Sequence, residues 1–346
     1  MTTSIAAGSI TTGSITTGSI APGTMVPGSI VTDSTAGAPV AEVVVDEVEP
    51  PTRRPLALSP SRAGDFKTCP LLYRFRAVDR LPEPPSAPAA RGTLVHSVLE
   101  QMFGRPAAER TVELTAAQVG PAWEQMAGEY PELLDLVPTE ELADWLTSAQ
   151  DLVRTYFTLE DPSRFDPEAC EFAIEIEVAD AVPLRGFLDR LDQAPTGQLR
   201  VVDYKTGFSP DPDFEARALY QLKFYALMIY RLRGVVPAQL KLIYLADGMS
   251  LQYAPSEAEL ISFEHGVVAL WAAITNALDT GNFPPRPSGM CQYCSHQALC
   301  PEFGGTPPPY PGVPPRAAPE GSRSAAALSA DAPEPGTVTA DVAFDR

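Results

Sequence analysis

The chain has 346 residues, 45% of them hydrophobic, enough for a sizeable core in one large domain or two modest ones. Its net charge of −19 excludes a protein that holds nucleic acid by bulk electrostatic attraction, and five cysteines do not make a small secreted disulfide scaffold. No apolar run approaches the roughly eighteen residues of a membrane span and the N-terminus lacks a basic-then-apolar signal, so a cytoplasmic chain without membrane contact is expected.

Residues 1–52 are low in complexity, with Gly-Ser-Ile starting at Gly8, Gly13 and Gly18 and again at Gly28. Nearly free of aromatic and charged residues, this arm cannot bury enough apolar surface to offset its ordering entropy, and disorder is expected. The same holds for residues 305–346, which open on Pro307-Pro308-Pro309 and continue in Pro, Ala and Ser. Residues 53–304 remain as the folded domain. Its first part is locally basic: ten Arg/Lys against five Asp/Glu between Arg53 and Arg110. A phosphate-contacting surface and an ordinary solvated face both fit that balance.

Arg91 to Met102 reads as a helix with Leu94, Val95, Val98 and Leu99 on its apolar side, and residues 112–160 continue helical. Phe172 to Val178 alternates apolar residues with glutamates, the period of a half-buried strand. Val182–Leu191 and Leu199–Tyr204 read as two further strands around the turn Pro195-Thr196-Gly197. Leu219 to Leu232 is helical, Leu240–Leu245 and Leu251–Tyr253 are strands, and Ser256 with Glu259 forms a capping box for a helix ending near Leu278. That order predicts an α/β fold with a mixed central sheet flanked by helices, carrying a helical insertion.

The informative stretch is Gly186-Phe187-Leu188-Asp189-Arg190-Leu191-Asp192, followed by Asp203-Tyr204-Lys205-Thr206-Gly207. Hydrolysis of a phosphodiester requires divalent ions, and Mg²⁺ takes hard oxygen ligands from one or two carboxylates. Asp189 and Asp203 supply such a pair if their strands are neighbours. The D-x-K spacing puts Asp203 and Lys205 on one side of a strand, and the Tyr204 carbonyl offers a further ligand. Alone, D-x-K is a weak signal, since Asp-Tyr-Lys is most often a surface pair. His96 by itself is an ordinary core or capping histidine. Glu100, Glu175 and Glu177 are further acidic candidates that nothing local separates. The order of the parts is more specific: Arg91-Gly92-Thr93-Leu94-Val95-His96, then Gly-x-x-Asp-Arg, Asp-Tyr-Lys-Thr-Gly, and Gln221-Leu222-x-x-Tyr225.

In this order the chain resembles the RecB-like nucleases of the PD-(D/E)XK superfamily over about residues 59–303, with Leu188 where the superfamily signature has proline. The resemblance implies a restriction-endonuclease-like core. It implies Mg²⁺ or Mn²⁺ on His96, Asp189 and Asp203, catalysis by Lys205 with the two aspartates, and DNA or water held near Gln221 and Tyr225. Cys291, Cys294 and Cys300 have C-x2-C-x5-C spacing, which points to metal or cluster ligation. Similarity to the AddB-type members implies a [4Fe–4S] cluster on these three and Cys69, fastening the C-terminal segment to the start of the domain. Zinc, with Cys69 or His296 as fourth ligand, is the competing reading. Cys170 falls outside the pattern and reads as a buried thiol.

The implied function is a DNA nuclease, an exonuclease for single strands or free ends, in repair or recombination. Lacking a G-x-x-x-x-G-K-[ST] loop, the chain is not expected to be a helicase itself, and the resemblance admits a separate helicase subunit as a partner. A catalytically silent DNA-binding scaffold in a helicase–nuclease complex is the alternative, and a nucleotide phosphohydrolase a third. A complete His, Asp, Asp and Lys set argues against the scaffold.

Overall fold

The structure, a computed structural model, describes residues 56–179, 181–211 and 215–313. Of the two segments expected to be disordered, 1–52 and 305–346, the first and residues 314–346 of the second lie outside the described residues. Eight α-helices occur among the described residues: α1 (Pro60–Thr68), α2 (Pro70–Tyr73), α3 (Ala87–Phe103), α4 (Val112–Ala116), α5 (Val119–Glu129), α6 (Leu142–Leu159), α7 (Glu215–Arg233) and α8 (Glu257–Thr280). Five strands, β1 (Ala169–Val178), β2 (Val182–Gln193), β3 (Leu199–Lys205), β4 (Gln239–Tyr244) and β5 (Met249–Tyr253), form one sheet in chain order. Neighbours pair antiparallel except β3 with β4, which are parallel and joined through α7. This is the expected α/β fold with a mixed sheet.

The alternation of side chains along β3 builds the layers. Leu199 and Val201 enter a core with α7 and α8, whereas Val202 and Tyr204 enter a second core with α3, α5 and α6. Helices therefore cover both faces, and the sheet carries the site between them.

Three expectations need correction. The helical stretch expected over 112–160 is broken, with a 3₁₀ turn at Pro131–Asp135 and non-helical chain around Pro138. Proline disfavours helical geometry at the residue before it, here Tyr130 and Val137. Second, α8 is long and apolar enough by composition to cross a membrane. Its stretch from Gly266 to Ala273 carries no charge and is rich in alanine and valine. In the fold Leu260, Val267, Ile274 and Leu278 of α8 join the core with α7, and Glu264 pairs with Arg231. Third, the folded domain does not stop at 304. Arg74 donates to the Pro308 carbonyl, and the Tyr310 hydroxyl donates to the Leu278 carbonyl at 2.6 Å, with its ring against Phe283. Proline-rich composition hid an extended strap that packs through one tyrosine.

Candidate metal and catalytic site

Strands β2 and β3 bring the acidic pair of the sequence together. The Asp189 Oδ2 accepts the Tyr204 N–H at 2.7 Å, so its carboxylate is fastened to the backbone between Asp203 and Lys205. Opposite Asp189, between the pairs Cys170–Arg190 and Phe172–Leu188, stands Glu171 of β1, with a left-handed φ of 43°. That conformation is costly for a residue with a side chain and is retained where the surroundings demand it.

His96 comes from α3, on the other side of the sheet. The helix is started by Ser86, whose hydroxyl accepts the Ala89 N–H, with Pro88 in the first turn. It approaches β3 closely: a Cβ on Gly92 would stand 3.3 Å from Thr206 Oγ1. The imidazole Nε2 lies 3.1 Å from the Tyr204 carbonyl oxygen, and the two rings meet edge-on at 5.9 Å. With Nε2 donating there, Nδ1 faces Asp189 Oδ2 at 3.5 Å and Glu171 Oε1 at 3.7 Å, where a proton on it is shared with the two carboxylates. Donor atoms of His96, Glu171 and Asp189 all lie within 4.8 Å of one another. Among the described residues this is the one trio of potential metal donors so close together.

A second chain of contacts continues from the trio. Lys205 Nζ is 2.5 Å from Asp203 Oδ2 and donates to Gln221 Oε1 at 2.9 Å. Gln221 donates in turn to Asp203 Oδ1 at 2.6 Å and to the Tyr225 hydroxyl at 3.3 Å. Gln221 and Tyr225 are one turn apart on α7 and share a face. Gly186 makes room for Tyr225, since a Cβ there would meet Tyr225 Cε1 at 2.7 Å.

The electrostatics follow from three carboxylates crowding one place. Burial by itself would lower the pKa of His96, but hydrogen bonds to Asp189 and Glu171 outweigh it and raise the imidazole to about 10. Burial, then repulsion from Asp189, push Asp203 up to about 6 against the pull of Lys205. Glu100, one turn beyond His96, is also raised, by burial and by the Glu171 charge. The site is short of positive charge and takes it from any proton available.

A buried ionic network lies behind the site. Arg190, fully buried, donates to the Tyr204 hydroxyl at 2.7 Å and to Glu160 Oε2 at 2.8 Å, and its Nε is 2.9 Å from Asp192 Oδ1. Lys241 closes on Glu160 at 2.6 Å and Arg200 on Asp192 at 2.7 Å. Tyr204 thus offers its N–H to Asp189 and its carbonyl to His96 while Arg190 holds its hydroxyl.

Of the residues singled out in the sequence, His96 and Asp189 share the donor trio, and Asp203, Lys205, Gln221 and Tyr225 form the adjoining chain. The Tyr204 carbonyl, expected to face a metal, accepts from His96. Glu175 instead pairs with Arg185 at 2.6 Å. Glu171 was not singled out. It shares the alternation of Glu175 and Glu177 along β1, and only the pairing of β1 with β2 tells it apart.

Cys69, Cys291, Cys294 and Cys300 line one cleft of about 810 Å³, between the start of the domain and its C-terminal segment. Cys69 Sγ accepts the Arg286 N–H at 3.4 Å, and Arg286 donates to the Lys67 carbonyl. Cys170 is half-buried, away from the set, and burial pushes its thiol up to about 12, which leaves it protonated and inert.

A family model of the PD-(D/E)XK nuclease superfamily matches residues 57–301, the span that contains every residue of this site. The chain belongs to that superfamily. Similar relatives are the Gene 69 proteins of two mycobacteriophages. The one from phage D29 is 24% identical over 273 residues, covering 71% of this chain and 96% of the relative. The one from phage L5 is 25% identical over 287 residues, with the same coverage. A crystal structure of a candidate exonuclease from Eubacterium rectale superposes with a TM-score of 0.47 at 13% identity, covering 69% of this chain and 87% of that one.

Proposed function

We propose that this PD-(D/E)XK protein is a Mg²⁺- or Mn²⁺-dependent DNA nuclease that cuts single strands or free ends during repair or recombination. The observation that carries the reading is the trio His96, Glu171 and Asp189, within 4.8 Å, beside a lysine paired to a buried aspartate. Two carboxylates and an imidazole suit such an ion. When bound there, the ion supplies neutralisation of phosphate charge and a water of lowered pKa. His96 ligates only after giving up its Nδ1 proton. Asp203 and Gln221 hold the Lys205 ammonium where it can balance charge that develops on the phosphate. Gln221 and Tyr225 position the DNA backbone from α7. Unwinding would fall to a separate helicase, and the cytoplasm is where such a partnership meets DNA.

The reading extends to a [4Fe–4S] cluster on Cys69, Cys291, Cys294 and Cys300 with a structural role. Its support is that residues more than two hundred positions apart share one cleft. Among the described residues, the sulfurs form no trio within 4.8 Å. Four thiolates around one zinc would stand about 3.8 Å apart.

The test is a substrate panel of single-stranded DNA, duplex DNA and mononucleotides with Mg²⁺, Mn²⁺ or EDTA. Cleavage of single strands or ends that requires the ion is expected. Hydrolysis of mononucleotides alone, or DNA binding without cleavage under every condition, would overturn it.

A further inference from the structure

The cleft that holds the cysteines does not end at them. Its walls run from the C-terminal segment to Gly186, Gln221 and Tyr225, so it opens onto the catalytic residues. The chain as a whole is strongly acidic, at −19, yet four arginines line this cleft against two carboxylates. Arg185 stands four residues before Asp189 on β2, and Phe187 two residues before it. Phe187 is 56% exposed although it lies in the middle of a strand. Across the cleft, Tyr293 and Phe303 are 73% and 53% exposed. A protein gains nothing for its own stability by leaving three large rings in water around one cleft.

Arg62 and Arg185 line the same cleft. Burial lowers the pKa of the Arg62 guanidinium, with the Tyr73 hydroxyl opposing and the charges of Arg185 and Arg80 adding to the decrease. Arg62 spends a donor on the Ala57 carbonyl and Arg185 pairs with Glu175, which leaves each fork other N–H groups. Two guanidinium groups lining one cleft favour an anion there. Arginine forks beside exposed aromatic rings are the elements that track an unpaired strand, the rings stacking on bases and the cations on phosphates. A duplex keeps its base faces inside its own stack and cannot use the rings.

We propose that this cleft binds single-stranded DNA, with a base stacked on Phe187, phosphates held by Arg62 and Arg185, and the strand led toward His96, Glu171 and Asp189. The proposal rests on the nuclease reading and adds the path of the substrate. It absorbs part of the basic balance seen between Arg53 and Arg110. Arg74 and Arg110 are buried, pairing with Asp79 and Asp166, and take no part in it.

The experiment uses full-length protein carrying Asp203→Asn, so that the strand stays intact, and a fluorescent oligothymidine read by anisotropy. Adding Phe187→Ala should weaken single-strand binding roughly tenfold or more. Phe187→Trp, which keeps a ring, should restore it. Arg185→Gln should weaken binding and lower the slope of log affinity against log salt by about 0.7, the share of one phosphate contact on a single strand. A matched duplex should bind the parent more weakly than the single strand. Affinities of Phe187→Ala and Arg185→Gln within twofold of the parent would overturn the proposal, as would a parent that prefers duplex or binds neither. Loss of binding in these variants, with a wild-type chain that cleaves no DNA, would sustain the cleft and sink the nuclease reading. Cleavage by wild type with all variants binding alike would do the reverse.

Discussion

At the scale of single residues the site is a problem of charge. Glu171, Asp189 and Asp203 are held together by pairing of the strands, and His96 answers by taking a proton that an ordinary histidine would have lost. Glu171 is the member the sequence did not reveal. Glu171, Glu175 and Glu177 repeat with one period, and nothing local ranks them. The left-handed backbone at Glu171 and its place across from Asp189 do. Glu171→Gln should therefore weaken Mn²⁺ binding by about tenfold or more while the melting temperature stays put, because it removes one charged donor and no packing. Titration calorimetry on the two proteins reads this directly, and equal affinities would remove Glu171 from the site. Asp189, Asp203 and Lys205 were legible because their spacing and order carry chemistry. Arg190, in the same motif, belongs to the buried network that orients Tyr204.

At the scale of elements, two close approaches decide whether the parts meet. Gly92 lets α3 reach β3, and Gly186 lets α7 lay Tyr225 against β2. Gly186→Ala should cost about 1–3 kcal/mol by overpacking and shift the Tyr225 ring. Because Tyr225 is linked through Gln221 to Asp203 and Lys205, cleavage should fall further than stability does. Thermal melts paired with initial rates measure both, and a variant that loses stability but keeps its rate would break the link. The strands and the capped helix α8 were readable from alternation and from Ser256 with Glu259. The breaks at Pro131 and Pro138, and the strap through Tyr310, depend on tertiary contacts that periodicity does not encode.

For the whole molecule, stability is tied to the buried ions between α6 and the sheet. Burial would raise Glu160, but Arg190 and then Lys241 hold it down to about 2. A folded pKa below the ordinary 4.5 means that its contribution is complete above pH ~4.5 and is lost as pH falls toward 2. That is on the order of 3 kcal/mol. Urea midpoints at pH 7 and pH 3 should show it, with Glu160→Gln less stable at pH 7 and less sensitive to acid. A variant with the wild-type pH dependence would contradict this. The two ends of the domain are joined at Cys69 and Arg286, a contact of high sequence separation. Cys69→Ser should bleach anaerobically purified protein and expose its C-terminal segment to protease, whereas Cys170→Ser should do neither. Colourless wild-type protein holding one zinc would keep the clamp and replace its chemistry.

The central claim is that Asp203 and Lys205 serve an ion-dependent cleavage of DNA and are not merely part of the core. The most direct measurement is the single-turnover rate on a single-stranded oligonucleotide with Mg²⁺ or Mn²⁺, for wild type, Asp203→Asn and Lys205→Ala. Cleavage by wild type that stops in EDTA, with both variants slowed by about a thousandfold or more and still folded by circular dichroism, is the predicted result. Rates within a few-fold of wild type in either folded variant would contradict it.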